Sequence, residues 1–318
     1  MNDSDIDPKL LDQLKKLEKK YEVMGQDISS YLDGLLYADY LTYWEYVHLD
    51  TLLSLQTPKT GFADEMIFIG YHQITELYFK LILWEMKQIS EEEQITEDFF
   101  MAKLQRINNY FKQLVYSYDI MVKGMERDQF LKFRMALLPA SGFQSAQYRM
   151  IEICATDMIN LVYWESRESL MNERDIRVLY DKIYWKKGAT ELATGKKTLT
   201  LRQFEEKYTS RLLRKSEAMK NNNLLKVYER YAESHGSTPQ LESALREFDL
   251  NANINWPLSH YKSAVRYLQK DPDDIKATGG SNWQKYLPPR FQKIVFFPNL
   301  WTEEELNNWG KSMVLQND

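Results

Sequence analysis

The chain of 318 residues is 44% hydrophobic and 27% charged, and its formal net charge is -5. This mild acidic balance gives no reason to expect nucleic acid or an anionic membrane as a partner. The single cysteine, Cys154, excludes an internal disulfide and a cysteine-based zinc or iron–sulfur site. Helix-favouring residues dominate and there are only 12 glycines and 9 prolines, so the composition predicts a mostly α-helical globular protein.

The sequence also bears on where the protein works. No uncharged run approaches the ~18 residues that a membrane-spanning helix needs. The first residues, MNDSDIDPKLLDQLKKLEKK, are acidic and then amphipathic, without the apolar stretch of a signal peptide. We therefore expect a cytoplasmic protein with no membrane partner.

The first elements in chain order are helical. Residues 9–24 carry leucines at helical spacing with lysines opposite, which predicts an amphipathic helix. An aromatic-rich segment follows and ends at the breaker TPKTG, residues 57–61. A helix containing His72 then runs to about Gln88, and another covers about residues 96–124. The next helix breaks at Pro139, and its successor begins at about Gln144.

The later elements are more varied. The segment 182–224 is basic and less clearly apolar, and we interpret it as a variable helical excursion with a solvated charged face rather than a nucleic-acid site. Pro257 suits the first turn of a helix, and Thr302 is the expected N-cap of a short final helix. Between them lies a Thr-Gly-Gly-Ser loop, residues 278–281, whose unobstructed backbone could wrap closely around a ligand.

Two of the four histidines lie in segments with a helical pattern. His72 shares a helix face with Phe68 and Phe79, so it points where aromatic rings point. A core histidine bonded to a neighbour is the competing explanation of this position. One face of the helix predicted to start at Pro257 carries His260, Ala264 and Tyr267, and the small Ala264 leaves space beside the imidazole ring.

These residues allow three kinds of site. A di-iron bundle needs two Glu-x-x-His units on facing helices, and only the segment from Glu45 to His48 supplies one. A hydrolase could use Ser141 with a histidine, but the serine lies in no nucleophile-elbow pattern. A haem site needs an axial histidine, an aromatic distal pocket and a few polar groups that orient a substrate. Spacing alone leaves the haem site a hypothesis.

Longer motifs resemble one family. The run DEMIFIGYHQITELYFKLILWE, residues 64–85, resembles the signature helix of tryptophan 2,3-dioxygenases. The run FLKFRMALLPASGFQSAQYRMIE, residues 130–152, is similar to the family block that contains Pro-Ala-Ser-Gly-Phe-Gln-Ser. WPLSH is similar to the family's Trp-x-x-x-His, and TGGS to its glycine loop. The resemblance covers about residues 43–290 and is faint between about 165 and 250.

The resemblance implies an all-α helical bundle that encloses haem b, with His260 as the axial ligand of the iron. His72 would be a catalytic residue on the distal side, within reach of the indole N–H. Arg134 would bind the substrate carboxylate in a bidentate pair, and Thr278 would bind the substrate ammonium. The other implied contacts are those of Phe68 and Phe130 with the indole, and those of Ser141 and Gly142 with the haem.

The N-terminal motif has two candidate Tyr-x-x-Tyr pairs. Counting back from the Leu-Asp pair and the glutamine that follow selects Tyr43 and Tyr46, with Val47 next. The resemblance implies that these residues bind substrate in the neighbouring subunit of a homotetramer, a dimer of dimers. Residues 1–318 would form one haem-binding domain, and its arm, residues 1–42, would pack on a neighbour.

The implied activity is cleavage of the indole C2–C3 bond of L-tryptophan with O2. The product would be N-formylkynurenine, in the first step of tryptophan catabolism by the kynurenine pathway. The chain departs from the family where Trp283 replaces a glycine of the loop. A haem-dependent monooxygenase of an indole or an aromatic amino acid is therefore the alternative.

Overall fold

The computed structural model describes residues 6–190, 195–269 and 287–311. The chain divides into two compact units, Met1–Gln56 and Thr57–Asp318. Carboxylates of Asp7 and Asp27 accept a backbone N–H at the starts of the first two helices, but no residue from 6 to 56 is buried. The helices of this first unit are α1 (Pro8–Val23), α2 (Ile28–Leu36), α3 (Tyr43–Tyr46) and α4 (Leu49–Ser54).

The second unit is also built from helices, and the described residues contain no strand beyond two isolated β bridges, Val162–Ile183 and Thr190–Lys197. The predicted all-α class is confirmed. Its α-helices are α5 (Asp64–Glu91), α6 (Glu97–Ser117), α7 (Asp119–Lys123), α8 (Arg127–Phe133), α9 (Ala146–Ala155), α10 (Met158–Leu161), α11 (Trp164–Arg167), α12 (Ile176–Asp181), α13 (Tyr184–Gly188), α14 (Leu199–Met219), α15 (Leu224–His235), α16 (Pro239–Leu250), α17 (Trp256–Leu268), α18 (Pro289–Gln292) and α19 (Glu303–Asn307).

Two other kinds of helical turn connect these elements. A π-helical turn, Asn251–Asn255, joins α16 directly to α17. Short 3-10 turns occur at Arg134–Leu137, Gly142–Gln144, Glu168–Leu170 and Pro298–Leu300.

The core of the second unit lies where α5 meets α6 and α9, with α16 on α6 and α14 on α9. Helix α5 buries a side chain every three or four residues, which is the period of one helix face. Its buried residues include Tyr71, Thr75, Phe79, Ile82 and Met86. The packing of this face against α6 and α9 fixes the position of the helix that carries His72.

Most predicted boundaries hold to within a few residues. Helix α5 continues to Glu91, past the expected end, and the helix expected over 96–124 divides at Tyr118 into α6 and α7. The break at Pro139 is confirmed, since α8 ends at Phe133. Helix α9 begins after Ser145, whose hydroxyl accepts the N–H of Tyr148.

Two predicted features of later helices are also confirmed. Pro257 lies in the first turn of α17, as the sequence predicted. Thr302 caps α19, because its hydroxyl accepts the N–H of Glu305 at 3.2 Å.

The segment 182–224 contains α13 and α14. Helix α14 packs on α9 and buries Leu201, Phe204 and Leu212, so part of this basic segment belongs to the core. Its variability stays a prediction. Cys154 on α9 is buried as well, and burial raises the pKa of its thiol to about 11.

Asp249, near the end of α16, ties the C-terminal segment to this helix. Its buried carboxylate accepts the backbone N–H groups of Phe296 and Phe297, at 2.8 and 3.0 Å. It also accepts the indole N–H of Trp301 at 3.0 Å. Burial nevertheless raises the pKa of Asp249 to about 6, because removing a carboxylate from water outweighs these bonds.

None of the helices in the described ranges is both long and apolar enough to cross a membrane. The cytoplasmic location, the single haem-binding domain and the role of the arm stay predictions.

Candidate active site

His260 lies one turn into α17, against the rings of Trp256 and Tyr118, with centroid distances of 4.5 and 4.6 Å. Its Nδ1 is 3.1 Å from the carbonyl oxygen of Trp256. Because a carbonyl only accepts, this contact places the proton on Nδ1 and leaves a lone pair on Nε2. Burial lowers the pKa of His260 to about 4, so the ring is neutral at pH 7.

His72 on α5 repeats this arrangement. Its Nδ1 is 2.7 Å from the carbonyl oxygen of Phe68, so Nδ1 donates and Nε2 again carries the lone pair. Burial lowers the pKa of His72, against the opposite effects of the Phe68 carbonyl and the Glu76 charge. His72 is therefore a neutral hydrogen-bond acceptor at Nε2.

A continuous set of ring contacts joins the two histidines. The ring of Tyr71 is 6.5 Å from His72 and 5.6 Å from Tyr118, whose ring in turn contacts His260. The two histidines thus face a common aromatic region, although 188 positions separate them in the sequence.

Phenylalanine rings extend this region on the His72 side. The Phe68 ring lies 4.1 Å from the His72 ring and 6.3 Å from Phe130. Phe133 also packs on Phe68, at 5.6 Å, and Tyr267 packs on Phe130, at 4.6 Å. The predicted pair Phe68 and Phe130 is therefore brought together beside His72.

Sequence reasoning missed Phe133 and Tyr118 as parts of this region. Phe133 directly precedes Arg134 in a motif that resembles the family, but nothing in its spacing points to Phe68. Tyr118 lies at the division between α6 and α7, where no periodic pattern indicates its direction. Tyr267, by contrast, lies on the helix face that the sequence predicted for His260.

Arg134 begins the 3-10 turn Arg134–Leu137 directly after α8. Only 4% of the residue is exposed, and burial lowers its pKa. A buried guanidinium is favourable only beside polar or anionic groups, and its planar fork matches a carboxylate. Arg134 directly follows Phe133, whose ring lies 5.6 Å from the ring of Phe68.

Ser141 and Gly142 lie in the loop between Pro139 and α9. Gln144 stabilises this loop, since its Oε1 accepts the N–H of Ser141 and its Nε2 donates to the carbonyl of Thr200, both at 3.1 Å. The Thr200 hydroxyl donates to the carbonyl of Pro139 at 2.7 Å. A Cβ atom on Gly142 would meet no atom within 4 Å, so open space lies beside this backbone.

Three other predicted site residues belong to the first unit. Tyr43 and Tyr46 belong to α3 of the first unit and are exposed, and Val47 follows them half-buried. Thr278 and Trp283 lie outside the described residues.

The donor chemistry of these residues fits a haem. A neutral imidazole with a lone pair on Nε2 is the form that binds iron, and metal-binding histidines usually donate their other N–H as His260 does to Trp256. The part of the chain that the structure describes holds no group of three His, Cys, Asp or Glu side chains that could bind a metal ion. A haem needs no such group, because its own ring supplies the other nitrogens.

Comparison with known proteins finds similarity to one family over part of the chain. Residues 33–165 match the family model described as tryptophan 2,3-dioxygenase. A tryptophan 2,3-dioxygenase of Ruegeria sp. (strain TM1040) is 43% identical over 117 residues, which are 36% of this chain and 42% of that protein. One of Bacillus thuringiensis (strain Al Hakam) is 42% identical over 115 residues, or 35% and 40% of the two chains.

The predicted resemblance is confirmed over residues 33–165, where this part of the chain is similar to tryptophan 2,3-dioxygenases. The match spans about two fifths of the length of these curated relatives. It includes the segments of His72, Arg134 and Ser141, but it ends before His260.

Proposed function

We propose that the protein is a haem-dependent dioxygenase that cleaves the indole C2–C3 bond of L-tryptophan with O2. The product would be N-formylkynurenine, the first intermediate of the kynurenine pathway. The observation that carries this proposal is that His72 and His260 face one aromatic region, each neutral with a lone pair on Nε2. The match of residues 33–165 to the tryptophan 2,3-dioxygenase model supports it.

His260 would hold haem b through Nε2, and Ser141 and Gly142 would line the haem. When bound, the haem supplies activation of O2, which protein side chains cannot provide. Trp256 supports the role of His260, because its carbonyl keeps the proton on Nδ1 and the lone pair on Nε2.

The substrate would be oriented by both of its ends. Phe68 and Phe130 would pack against the indole, and Nε2 of His72 would accept the indole N–H. Arg134 would bind the carboxylate in a bidentate pair, and Thr278 would bind the ammonium. Fixing both ends places the C2–C3 bond in one position, so orientation is the protein's main contribution.

His72 need not remove the indole proton. Burial lowers its pKa and makes it a weaker base than an exposed histidine, and an indole can react through C3 while it retains the N–H. We therefore expect His72→Ala to slow turnover and to leave measurable activity. A haem-loaded but inactive His72→Ala enzyme would contradict this role.

We also propose a homotetramer, a dimer of dimers, in which Tyr43, Tyr46 and Val47 complete the site of a neighbouring subunit. Support comes from the family resemblance and from the exposure of both tyrosines. Co-expression of a Tyr46→Ala subunit with an Arg134→Ala subunit tests this arrangement. Mixed tetramers would contain some sites with neither substitution and would recover activity, whereas sites built within one chain would not.

The decisive experiment supplies the ferrous, haem-reconstituted protein with L-tryptophan and 18O2 and measures the product by mass spectrometry. Two labelled oxygen atoms in N-formylkynurenine would support the dioxygenase. One labelled atom in a hydroxylated product would indicate the monooxygenase alternative, which Trp283 in the loop motivates. Haem uptake without any product would reject tryptophan as the substrate, and no haem uptake would reject the proposal.

A further inference from the structure

The helix that carries His260 does not start independently. Helix α16, the π turn Asn251–Asn255 and α17 form one continuous helical segment. In the π turn, the N–H of Trp256 bonds to the carbonyl of Asn251, five residues earlier. A π turn places one extra residue in a helix, and one residue corresponds to a rotation of about 100°. The turn therefore decides which way His260 faces.

Pro257 interrupts the bonding of this turn. The next bond of the π pattern would run from residue 257 to the carbonyl of Ala252, but proline has no N–H to donate. The hydroxyl of Tyr148 on α9 donates to this carbonyl instead, at 2.8 Å. A side chain from another helix thus supplies the bond that the sequence removes from the turn.

Other side chains hold the same turn. Asn251 donates to Asn108 of α6 at 3.3 Å, and Asn255 donates to Asn251 at 3.0 Å. Asn253 donates to Asp249 at 2.7 Å. These side-chain amides connect the π turn to α6 and α16, and the hydroxyl of Tyr148 connects the turn to α9.

Tyr148 is itself held firmly. It is 7% exposed, and its ring packs on Phe79 at 5.3 Å. The guanidinium of Arg149 lies 4.8 Å from the Tyr148 ring centroid and forms a buried ion pair with Glu152, at 3.0 Å. Phe79 also packs on Trp256, at 5.8 Å, and Trp256 directly follows the π turn. The hydroxyl of Tyr148 contacts this turn directly, and its ring contacts the end of the turn through Phe79.

We propose that Tyr148 is a positioning residue for His260. Its bond to Ala252 stabilises the π turn, and the turn faces His260 towards Tyr118 and the aromatic region. Tyr148 touches neither substrate nor iron in this role. The inference extends the proposed function, and its haem readouts rest on that function.

The test compares Tyr148→Phe with a matched control, Tyr228→Phe. The first variant loses the hydroxyl bonded to Ala252 and keeps the ring. The control loses a hydroxyl of a second buried tyrosine, which bonds Ser237 outside the turn. Proton NMR of the haem-free protein reports His260 directly, because ring currents of Trp256 and Tyr118 shift its ring protons. A His260→Gln spectrum assigns these signals.

We expect the His260 ring signals to move in Tyr148→Phe and to stay in place in Tyr228→Phe. In the haem-loaded ferrous protein, resonance Raman spectra should show a shifted iron–histidine vibration in Tyr148→Phe alone. Haem should dissociate about 2- to 10-fold faster from this variant, as the loss of one buried hydrogen bond allows. Unchanged His260 signals together with an unchanged vibration would overturn the inference.

Deletion of Ala252 is the stronger perturbation, because it removes the extra residue and should rotate α17. We expect a helical protein that retains no haem, and a deletion variant with parental haem affinity and vibration would also overturn the inference. If the deletion variant does not fold, Tyr148→Phe decides the question. If the parent takes up no haem, the proposed function fails, and the haem-free spectra still test the positioning of His260.

Discussion

The two units of this chain have similar helices but very different interiors. Residues 6–56 form four helices, of which the first two have aspartate caps, but they bury no side chain, and Leu36 and Tyr40 are 81% and 97% exposed. The described residues after Thr57 contain the whole buried core and the candidate residues His72, Arg134 and His260. Local signals are therefore enough to define a helix, while stability needs a surface to pack on. The exposed apolar residues of the first unit agree with the proposed arm that packs on a neighbour.

The largest expected effect is the loss of haem binding when His260 in the second unit is replaced. His260→Ala removes the proposed iron ligand, so we expect haem retention after gel filtration to fall at least 100-fold. Added imidazole should restore part of the haem absorbance. His235→Ala is the matched control, because His235 lies exposed at the end of α15. Full haem retention by His260→Ala would reject the assigned ligand.

Shortening a buried side chain tests how tightly the core of the second unit is packed. Leu104 on α6 is fully buried, so Leu104→Ala should lower the free energy of unfolding by about 2 to 5 kcal/mol. Urea unfolding followed by circular dichroism measures the change. A loss below about 1 kcal/mol would mean that α6 is not part of a packed core.

Substrate binding is the next expected effect. Arg134→Ala should raise KM for L-tryptophan about 10- to 100-fold, since a charge-assisted bidentate pair is worth roughly 1.5 to 3 kcal/mol. Steady-state kinetics measures it, and Arg134→Lys should fall between the parent and the alanine variant. Tryptamine, which lacks the carboxylate, should show no difference among the three enzymes. Equal KM values for L-tryptophan would remove Arg134 from the site.

The pH dependence of the haem-free protein tests the burial of His260. Its pKa is about 4 when folded and about 6.5 in an unfolded chain, so the unfolded state takes up the proton first as the pH falls. Stability should therefore be lost between pH 6.5 and 4, by about 2 to 3 kcal/mol. Asp249, with its raised pKa, acts in the opposite direction, because its contribution falls as the pH rises from about 4 to 6. The contribution of Asp249 is the same in the parent and in His260→Gln, so it cancels when the two proteins are compared. The free energy of unfolding of His260→Gln should depend less on pH than that of the parent.

The smallest effect on stability should come from the first unit. Leu36→Ala removes an exposed side chain and should change the unfolding free energy of the monomer by no more than about 0.5 kcal/mol. If this surface packs on a neighbour, sedimentation should show weaker association of the same variant. A large loss of monomer stability would contradict the difference between the units.

The fold class and much of the site follow from the sequence, for identifiable reasons. The helical period placed Phe68 and His72 on one face of α5, and their rings lie 4.1 Å apart. The same period aligned His260 with Tyr267 on α17. In each case one regular helix determines the relation, so spacing alone is sufficient.

Relations between helices were harder to predict. Tyr118 links the two histidines from the end of α6, and Phe133 reaches Phe68 from α8, because helix packing brings these faces together. The helical periodicity of a sequence shows which face of a helix is apolar, but it does not show which other helix packs on that face. The π turn escaped prediction for a related reason. Pro257 indicated the start of a helix, yet the chain is already helical before it, and Tyr148 of α9 supplies the missing donor.

The burial of Cys154 has a consequence for the proposed use of oxygen by this protein. Thiolates are the form that oxidants attack, and a thiol with a pKa of about 11 is almost wholly protonated in the cell. The side chain is also shielded by the packing of α9 against its neighbours. The chain therefore presents no reactive sulfur that could link two copies through a disulfide, so storage in air should leave it free of covalent dimers.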